Sequence, residues 1–143
     1  MDGDLAPLVR QLIDGFNHGS LDPVAHLFHP HVVDHQLQEG TAPGIEGIRS
    51  WWDAVHAAFD LHVDIDDLIE GPDRVGTRMT VYASHVGPFL GHPPTGRACV
   101  VPVLTIERFE AGLLVERWQV GDILRASRRL GLPACAVSGS VRP

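Results

Sequence analysis

The sequence predicts one α+β domain, in which helices from the first half pack against a curved antiparallel sheet from the second half. The first half carries apolar residues at helical spacing, whereas the second half carries β-prone segments joined by tight turns. Helices that are segregated from an antiparallel sheet define the α+β class. A sheet that curves strongly around the helices closes into a cone with a mouth, and an apolar cavity of this kind is a typical small-molecule site.

Three amphipathic segments predict the helices of the first half. Apolar residues recur every three or four positions from about Asp4 to His18. Asp22 and Pro23 then open a short second helix, which Pro30 ends. The third segment, Ile45 to Phe59, has a broad apolar face and no proline. These segments supply the helical layer of the predicted fold.

The β-prone segments predict one short strand and then four strands in hairpin succession. The short strand is His31 to His35, which enters a loop rich in glycine and proline. The four later strands are Leu61 to Ile69, Val75 to His85, Arg97 to Phe109 and Gly112 to Asp122. A last helix follows from Ile123 to Leu130. We expect a single domain over residues 1–133 and a flexible tail over residues 134–143.

Composition excludes several classes of protein. The chain of 143 residues is 44% hydrophobic and 20% charged, which is typical of a globular domain. A net charge of -7 argues against a nucleic-acid surface, and no apolar run reaches the ~20 residues of a membrane-spanning helix. The acidic N-terminus lacks the features of a signal peptide, so we expect a cytoplasmic protein. Cys99 and Cys135 are too few for a disulfide framework and are expected to be reduced thiols.

Asp122 is the first candidate for chemistry. Side chains of a strand alternate between two faces, so Asp122 shares its face with Glu116, Trp118 and Val120. A carboxyl that faces an apolar wall loses hydration, and its pKa rises toward the range useful for proton transfer. The alternative is that Asp122 is the N-cap of the following helix, since aspartate is a preferred cap. One residue can have both roles.

The histidines and Asp34 are the second group of candidates. His31 and His35 lie four residues apart on one strand, about 13 Å at the usual rise, which is too far for two ligands of one metal ion. Asp34 and His35 point to opposite faces, so one of them faces the cavity. Asp34 is alternatively a turn-forming residue before the loop. For His85 we prefer a hydrogen bond that holds the following loop over a place at the cavity mouth.

Aromatic residues are the third group. Trp51, Trp52 and Trp118 are candidates for an aromatic wall against a flat polycyclic ligand. Because neighbours on a helix point about 100° apart, we expect only one of Trp51 and Trp52 to face the cavity. Tyr82 lies in a predicted strand, and the sequence leaves open which face of that strand is internal.

Several local motifs occur in an order that is characteristic of one family. The motifs are Phe28–His35, Gly44–Arg49, His85–Gly91, Pro93–Arg97, Glu116–Trp118, Asp122 and Leu130–Gly131. Over roughly Leu5 to Leu132 the chain resembles the SnoaL-like polyketide cyclases of the NTF2-like, or ketosteroid-isomerase-like, superfamily. The resemblance implies a cone-shaped α+β barrel, usually dimeric, that works without a metal or an organic cofactor.

The resemblance also implies a reaction and a set of residues. In ring-closing members an aspartate at the end of the last strand takes and returns the proton of an intramolecular aldol step on a polycyclic aromatic polyketide ester. Asp122 matches this aspartate by position, whereas Thr105 occupies the position of the assisting histidine and does not exchange protons near neutral pH. Residues expected to contact the substrate are Asp34, His35, Trp51, Tyr82, His85, Thr105 and Trp118.

Two alternatives and one assembly remain as expectations. Related members hydroxylate or rearrange their substrates, and a silent binding domain would keep the cavity without needing the carboxyl. The run Val101 to Ile106 is apolar on both of its faces. We therefore expect a homodimer formed by the outer face of the sheet, with a hydrophobic polycyclic molecule as the other partner.

Overall fold

The computed structural model describes residues 4–37 and 40–132, which form helices packed against a curved five-stranded sheet. The elements in chain order are α1 (Ala6–His18), a 3-10 helix (Asp22–Leu27), β1 (Phe28–Asp34), α2 (Ile45–Ala58), β2 (Phe59–Glu70), β3 (Arg74–His85), β4 (Ala98–Glu110), β5 (Leu113–Gly121) and α3 (Ile123–Leu130). The predicted α+β class and the predicted order of helices and strands are confirmed. The predicted tail over residues 134–143 lies outside the described residues.

The sheet has the strand order β1-β5-β4-β3-β2. Strands β2 to β5 pair antiparallel, as predicted, whereas β1 pairs parallel to β5, so the sheet is mixed. The second helix ends at Leu27, and Pro30 lies inside β1 instead of ending the helix. Proline is tolerated there because β1 is an edge strand, in which one side of the backbone has no ladder to complete.

Strand β4 shows which face of the sheet is internal. Its buried residues alternate strictly with more exposed ones, and they are Cys99, Val101, Val103, Thr105, Glu107 and Phe109. This inner face packs toward α1 and α2, where Phe16 and Trp52 meet edge to face with ring centroids 5.1 Å apart. The outer face of the same strands carries the exposed apolar residues Val100, Leu104, Ile106 and Val120.

Helix α1 approaches the 3-10 helix closely because Gly15 has no side chain. A Cβ atom at Gly15 would lie 2.8 Å from both γ-methyl carbons of Val24. Val24 is itself buried, so the contact joins α1 to the 3-10 helix that leads into β1. The same contact positions β1, which brings Asp34 to the sheet.

Candidate active site

A cavity lies between the helices and the inner face of the sheet, and most of its lining is apolar. The lining side chains include the aromatic residues Phe16, Phe28, Trp51, Trp52, Phe59 and Phe89. Aliphatic residues from the three α-helices and from β2 to β5 complete the walls. A surface of this composition suits a flat, hydrophobic ligand that contacts aromatic rings.

One group of polar side chains interrupts this apolar lining, and we call it the polar cluster: Asp34, Gln36, Glu107, Arg117 and Gln119. Arg117 lies at its centre. Its Nη1 donates to Asp34 Oδ2 at 3.2 Å and to Gln36 Oε1 at 3.1 Å, and its Nη2 donates to Gln119 Oε1 at 2.5 Å. Its Nε lies 3.5 Å from Glu107 Oε1. One guanidinium therefore holds two carboxyls and two amides together.

Glu107 is the most deeply buried acidic residue of the cluster, with 3% of its surface exposed. It comes from the inner face of β4, directly opposite Arg117 on β5. Burial raises the pKa of Glu107, while the charge of Arg117 and hydrogen bonds from Thr105 and Arg117 oppose this rise, and the nearby Asp34 adds to it. Within the described residues, Glu107 Oε2 has no hydrogen-bond partner.

Asp34 ends β1 and turns its carboxylate toward the cavity. Its Oδ1 accepts a hydrogen bond from the backbone N–H of Gln36 at 3.0 Å, and its Oδ2 pairs with Arg117. The prediction that one of Asp34 and His35 faces the cavity is confirmed, and the residue is Asp34. The turn-forming alternative is also confirmed, because the bond to Gln36 closes an Asx turn.

Asp122 lies outside the cavity lining. Its carboxylate is exposed, and its Oδ1 accepts a hydrogen bond from the backbone N–H of Arg125 at 3.0 Å. Asp122 is thus the N-cap of α3, which confirms the capping alternative. Trp118 and Val120, the residues predicted to form an apolar wall beside Asp122, lie on the outer face of β5, whereas its inner face carries Arg117 and Gln119.

His35, Trp118 and Tyr82 also lie outside the cavity lining, so their contact with a substrate remains a prediction. His35 stacks on Trp118 with ring centroids 5.1 Å apart, and its Nε2 lies 2.7 Å from Glu116 Oε2. This hydrogen bond is the main reason that the pKa of Glu116 is lowered. Tyr82 is 43% exposed, because the residues that β3 turns inward are the neighbours Val81 and Ala83.

His85 and Thr105 are internal but do not line the cavity. His85 is fully buried, and its Nδ1 accepts a hydrogen bond from the backbone N–H of Thr95 at 3.0 Å. The preferred interpretation, that His85 holds the loop after β3, is confirmed. Thr105 is 3% exposed, and it lies two residues before Glu107 on the inner face of β4.

Trp51 and Trp52 both line the cavity, so the expectation that only one of them would do so is wrong. Trp51 is half-buried beside Phe89, with ring centroids 6.2 Å apart, while Trp52 is buried against Phe16. The cavity extends around more than one face of α2, and two large side chains that diverge by about 100° both reach it.

Cys99 also lines the cavity from β4 and is buried, as predicted for a small core residue. Burial raises the pKa of its thiol, which keeps the group neutral. Cys135 lies outside the described residues.

Sequence reasoning missed Glu107, Arg117, Gln36 and Gln119. A signal for Glu107 was present, because it is the only charged residue in the row Cys99, Val101, Val103, Thr105, Glu107 and Phe109. A charge within an apolar row of a strand is buried with it and needs a partner. The partner is Arg117. The alternation of β5 correctly separates Arg117 from Trp118, but the sequence analysis took the face of Trp118 to be the internal one.

Residues 4–37 and 40–132 contain neither a candidate metal site nor a candidate membrane-spanning helix. These ranges contain no group of three or more histidine, cysteine, aspartate or glutamate side chains placed to hold a metal ion. No helix in them is long and apolar enough to cross a membrane.

The fold and the cavity together define a class, an α+β cone whose apolar interior carries one group of charged residues. Comparison with known proteins gives the family. The model of the SnoaL-like polyketide cyclases matches residues 6–130, which is most of the chain. The chain belongs to this family of enzymes, and the resemblance predicted from the motifs is confirmed.

Individual relatives agree with this assignment. The aklanonic acid methyl ester cyclase AcmA of Streptomyces galilaeus is 27% identical over 128 residues, which cover 87% of this chain and 89% of AcmA. TsrD of Streptomyces laurentii superposes with a TM-score of 0.81 at 30% identity, covering 90% of this chain and 95% of TsrD. The candidate hydroxylase AclR of Streptomyces galilaeus gives a TM-score of 0.78 at 26% identity, covering 92% and 83% of the two chains.

Proposed function

We propose that this protein closes a ring in a hydrophobic polyketide intermediate by a cofactor-independent intramolecular aldol reaction. The observation that carries the proposal is the polar cluster, which places two carboxyls on one guanidinium inside an otherwise apolar cavity. An aldol step needs one group that removes a proton from carbon and one that supplies a proton to oxygen. Family membership and the similarity to a curated ring-closing cyclase support the same reaction class.

The base of this reaction is assigned to Asp34. Its carboxylate lies in the cavity, and two hydrogen bonds fix its orientation. The acid–base role predicted for Asp122 remains a prediction, since its exposed capping position supports the structural alternative. The aromatic lining, with Trp51 and Phe89 on one side, supports a flat polycyclic substrate.

The direct test is turnover of aklanonic acid methyl ester, the compound named for the curated relatives. Ring closure by an aldol addition moves atoms without gaining or losing any, so the product has the mass of the substrate and one ketone fewer. Mass spectrometry and carbon NMR of the product measure both properties. A product with one additional oxygen atom would indicate hydroxylation instead, the activity suggested for AclR.

A matched pair of variants connects turnover to the cavity. Val101 lines the cavity from the inner face of β4, whereas its neighbour Val100 points outward. Val101→Phe fills part of the cavity and is expected to reduce turnover at least tenfold with an unchanged fold, whereas Val100→Phe keeps the parent rate. Equal rates in the two variants, or no ring closure by the folded parent with this ester or related polyketide β-ketoesters, would contradict the proposal.

The protein is further proposed to be a homodimer that buries the outer face of the sheet. Val100, Leu104 and Ile106 on β4 are 44–57% exposed, and Val120 on β5 is 72% exposed. Their side chains form a continuous apolar surface, because Leu104 lies directly opposite Val120 in the antiparallel pair. A surface of this kind supports association with a second copy of the chain.

A further inference from the structure

Four polar atoms on the inner face of the sheet are buried without a hydrogen-bond partner among the described residues: Thr77 Oγ1, Thr105 Oγ1, Glu107 Oε2 and, at the far end of β3, His85 Nε2. The first three are neighbours, because Thr77 lies directly opposite Thr105 and Glu107 follows two residues later on the same face. Buried polar atoms are nearly always paired. Of these residues Glu107 lines the cavity, so its unpaired Oε2 indicates a place where an oxygen of a ligand completes the hydrogen bonds.

Charge balance indicates which of these atoms is a donor. Arg117 is the cation of the polar cluster, and Asp34 and Glu107 are its two acidic residues, with side chains only 7% and 4% exposed. Two carboxylates and one guanidinium would leave an excess negative charge in an apolar cavity, which is strongly disfavoured. The 3.2 Å bond from Arg117 pairs it with Asp34, while Glu107 lies farther away at 3.5 Å. Glu107 is therefore the carboxyl whose ionised form is less well compensated.

We infer that Glu107 is the proton donor of the reaction: its neutral carboxyl binds the ketone oxygen that accepts the new bond and transfers its proton to that oxygen. This inference rests on the proposed ring closure and specifies the residue that completes it. Glu107 would thus have the role that the family resemblance gives to a histidine at the position of Thr105 on the same strand.

The proton balance is complete without a further reactant. Asp34 removes a proton from the carbon next to one carbonyl, and the resulting enolate carbon forms the new bond to the second carbonyl carbon. The π electron pair of that second carbonyl moves onto its oxygen, which takes the proton of Glu107. After the product leaves, Asp34 gives its proton to water and Glu107 takes one from water, so the two exchanges cancel. One C–H bond is lost and one O–H bond is formed in the substrate, and the protein is unchanged.

The surroundings of Glu107 disfavour its ionised form. Asp34 from β1 and Arg117 from β5 are the charged groups of the cavity lining that face it. From β3, its cross-strand partner Val75 and the neighbouring Thr77 carry no titratable group. The parts of α1 and α2 that line the cavity are apolar. Burial raises the pKa of Glu107 more than Arg117 lowers it, in agreement with the geometry.

The first test is infrared spectroscopy of the parent protein and two variants at about pH 7, where an ordinary glutamate is ionised. The difference between the parent and Glu107→Gln is expected to contain the carbonyl band of a protonated carboxyl. Glu110→Gln is the matched control, because Glu110 lies on the same strand with its side chain 67% exposed. Its difference should contain ionised carboxylate bands only. Absence of the protonated band in the parent would overturn the inference.

The second test is binding of anthraquinone, a flat tricyclic diketone without ionisable groups, so any pH dependence belongs to the protein. We expect the affinity of the parent to fall roughly 2- to 12-fold as rising pH ionises Glu107, which removes one hydrogen bond to the ketone. Glu107→Gln keeps an amide donor and should bind with little dependence on pH, whereas Glu110→Gln should follow the parent. The same pH profile in the parent and in Glu107→Gln would contradict the inference.

Kinetics separate this inference from the proposed function. If the ring closure takes place, Glu107→Gln is expected to lower kcat by ~10²–10⁴-fold, while Glu110→Gln keeps the parent rate. If Glu107→Gln turns over as fast as the parent, ring closure stands but Glu107 is not its proton donor. If no ring closure occurs but the infrared and binding results are as expected, the proposed reaction is wrong. The claim that a neutral Glu107 binds a ketone oxygen would still stand.

Discussion

At the scale of single residues, the two carboxyls Asp122 and Glu107 show what distinguishes a cap from a site. Both lie on or next to strands of the same sheet. Asp122 is exposed and satisfied by the backbone of α3, so its environment resembles that of any N-cap. Glu107 is buried, and one of its oxygens has no partner within the described residues. A group that the fold leaves incomplete is a better candidate for chemistry than one the fold already satisfies.

The raised pKa of Glu107 predicts how stability depends on pH. The folded state holds the Glu107 proton more tightly than the unfolded state, so its contribution to stability is complete below the ordinary glutamate pKa. That contribution is lost as pH rises from the ordinary value through the raised one. We expect Glu107→Gln, which cannot ionise, to gain melting temperature relative to the parent over this range. Thermal melts at a series of pH values measure the difference.

Glu110→Gln serves as the control for these melts, since Glu110 is exposed on the same strand. Its melting temperature should differ from that of the parent by an amount that does not change systematically across the range in which Glu107 titrates. A difference between the parent and Glu107→Gln that stays constant with pH would show that Glu107 titrates normally in the folded protein.

Capping by Asp122 makes a separate prediction. Asp122→Ala removes the acceptor for the Arg125 N–H and is expected to lower the free energy of unfolding by about 1 kcal/mol. Asn is also a preferred cap, so Asp122→Asn should lose much less. Urea denaturation measures both. A turnover loss of ~10²–10⁴-fold in a normally stable Asp122→Asn would restore the acid–base role predicted from the sequence.

At the scale of elements, the sequence did not determine which face of β5 is internal. In β4 the row that contains Cys99, Val101 and Val103 is unbroken, so its internal face can be read from the alternation. In β5 neither face is clearly apolar: one carries Glu116 and Trp118, the other Arg117 and Gln119. The internal face is decided by pairing with β4, a non-local contact that local alternation does not contain. Local alternation therefore gave no reason to place Arg117 in the cavity lining, where the structure has it.

The contact between α1 and the 3-10 helix gives a prediction at the same scale. Replacing a helical glycine by alanine usually stabilises by up to ~1 kcal/mol. At Gly15 the new Cβ would lie 2.8 Å from the methyl carbons of Val24, and such overpacking costs about 1–3 kcal/mol. We therefore expect Gly15→Ala to lower the free energy of unfolding by about 1 kcal/mol, as measured by urea denaturation.

The double variant identifies the cause of this loss. In a Val24→Ala background the methyl groups are absent, so Gly15→Ala should become neutral or stabilising relative to Val24→Ala alone. An equal loss in both backgrounds would show that the close approach of the two helices is not what requires glycine.

At the scale of the whole molecule, the two faces of the sheet have different tasks. The inner face forms the cavity and carries the polar cluster. The outer face exposes Val100, Leu104, Ile106 and Val120 in a single chain. The sequence predicted that β4 is apolar on both sides, and this pattern is observed. Whether a second copy of the chain covers the outer face is a question for measurements in solution.

Leu104→Glu tests the proposed dimer, because Leu104 is 57% exposed at the centre of this surface and lies opposite Val120. A charge there would have to be buried in the interface without a partner, which is unfavourable enough to separate the copies. We expect the parent to sediment as a dimer at micromolar concentration and Leu104→Glu to sediment as a folded 15.6 kDa monomer. Ser50→Glu adds the same charge to an exposed position of α2 and should remain dimeric. A monomeric parent would contradict the proposed assembly, and a dimeric Leu104→Glu would move the interface away from this face.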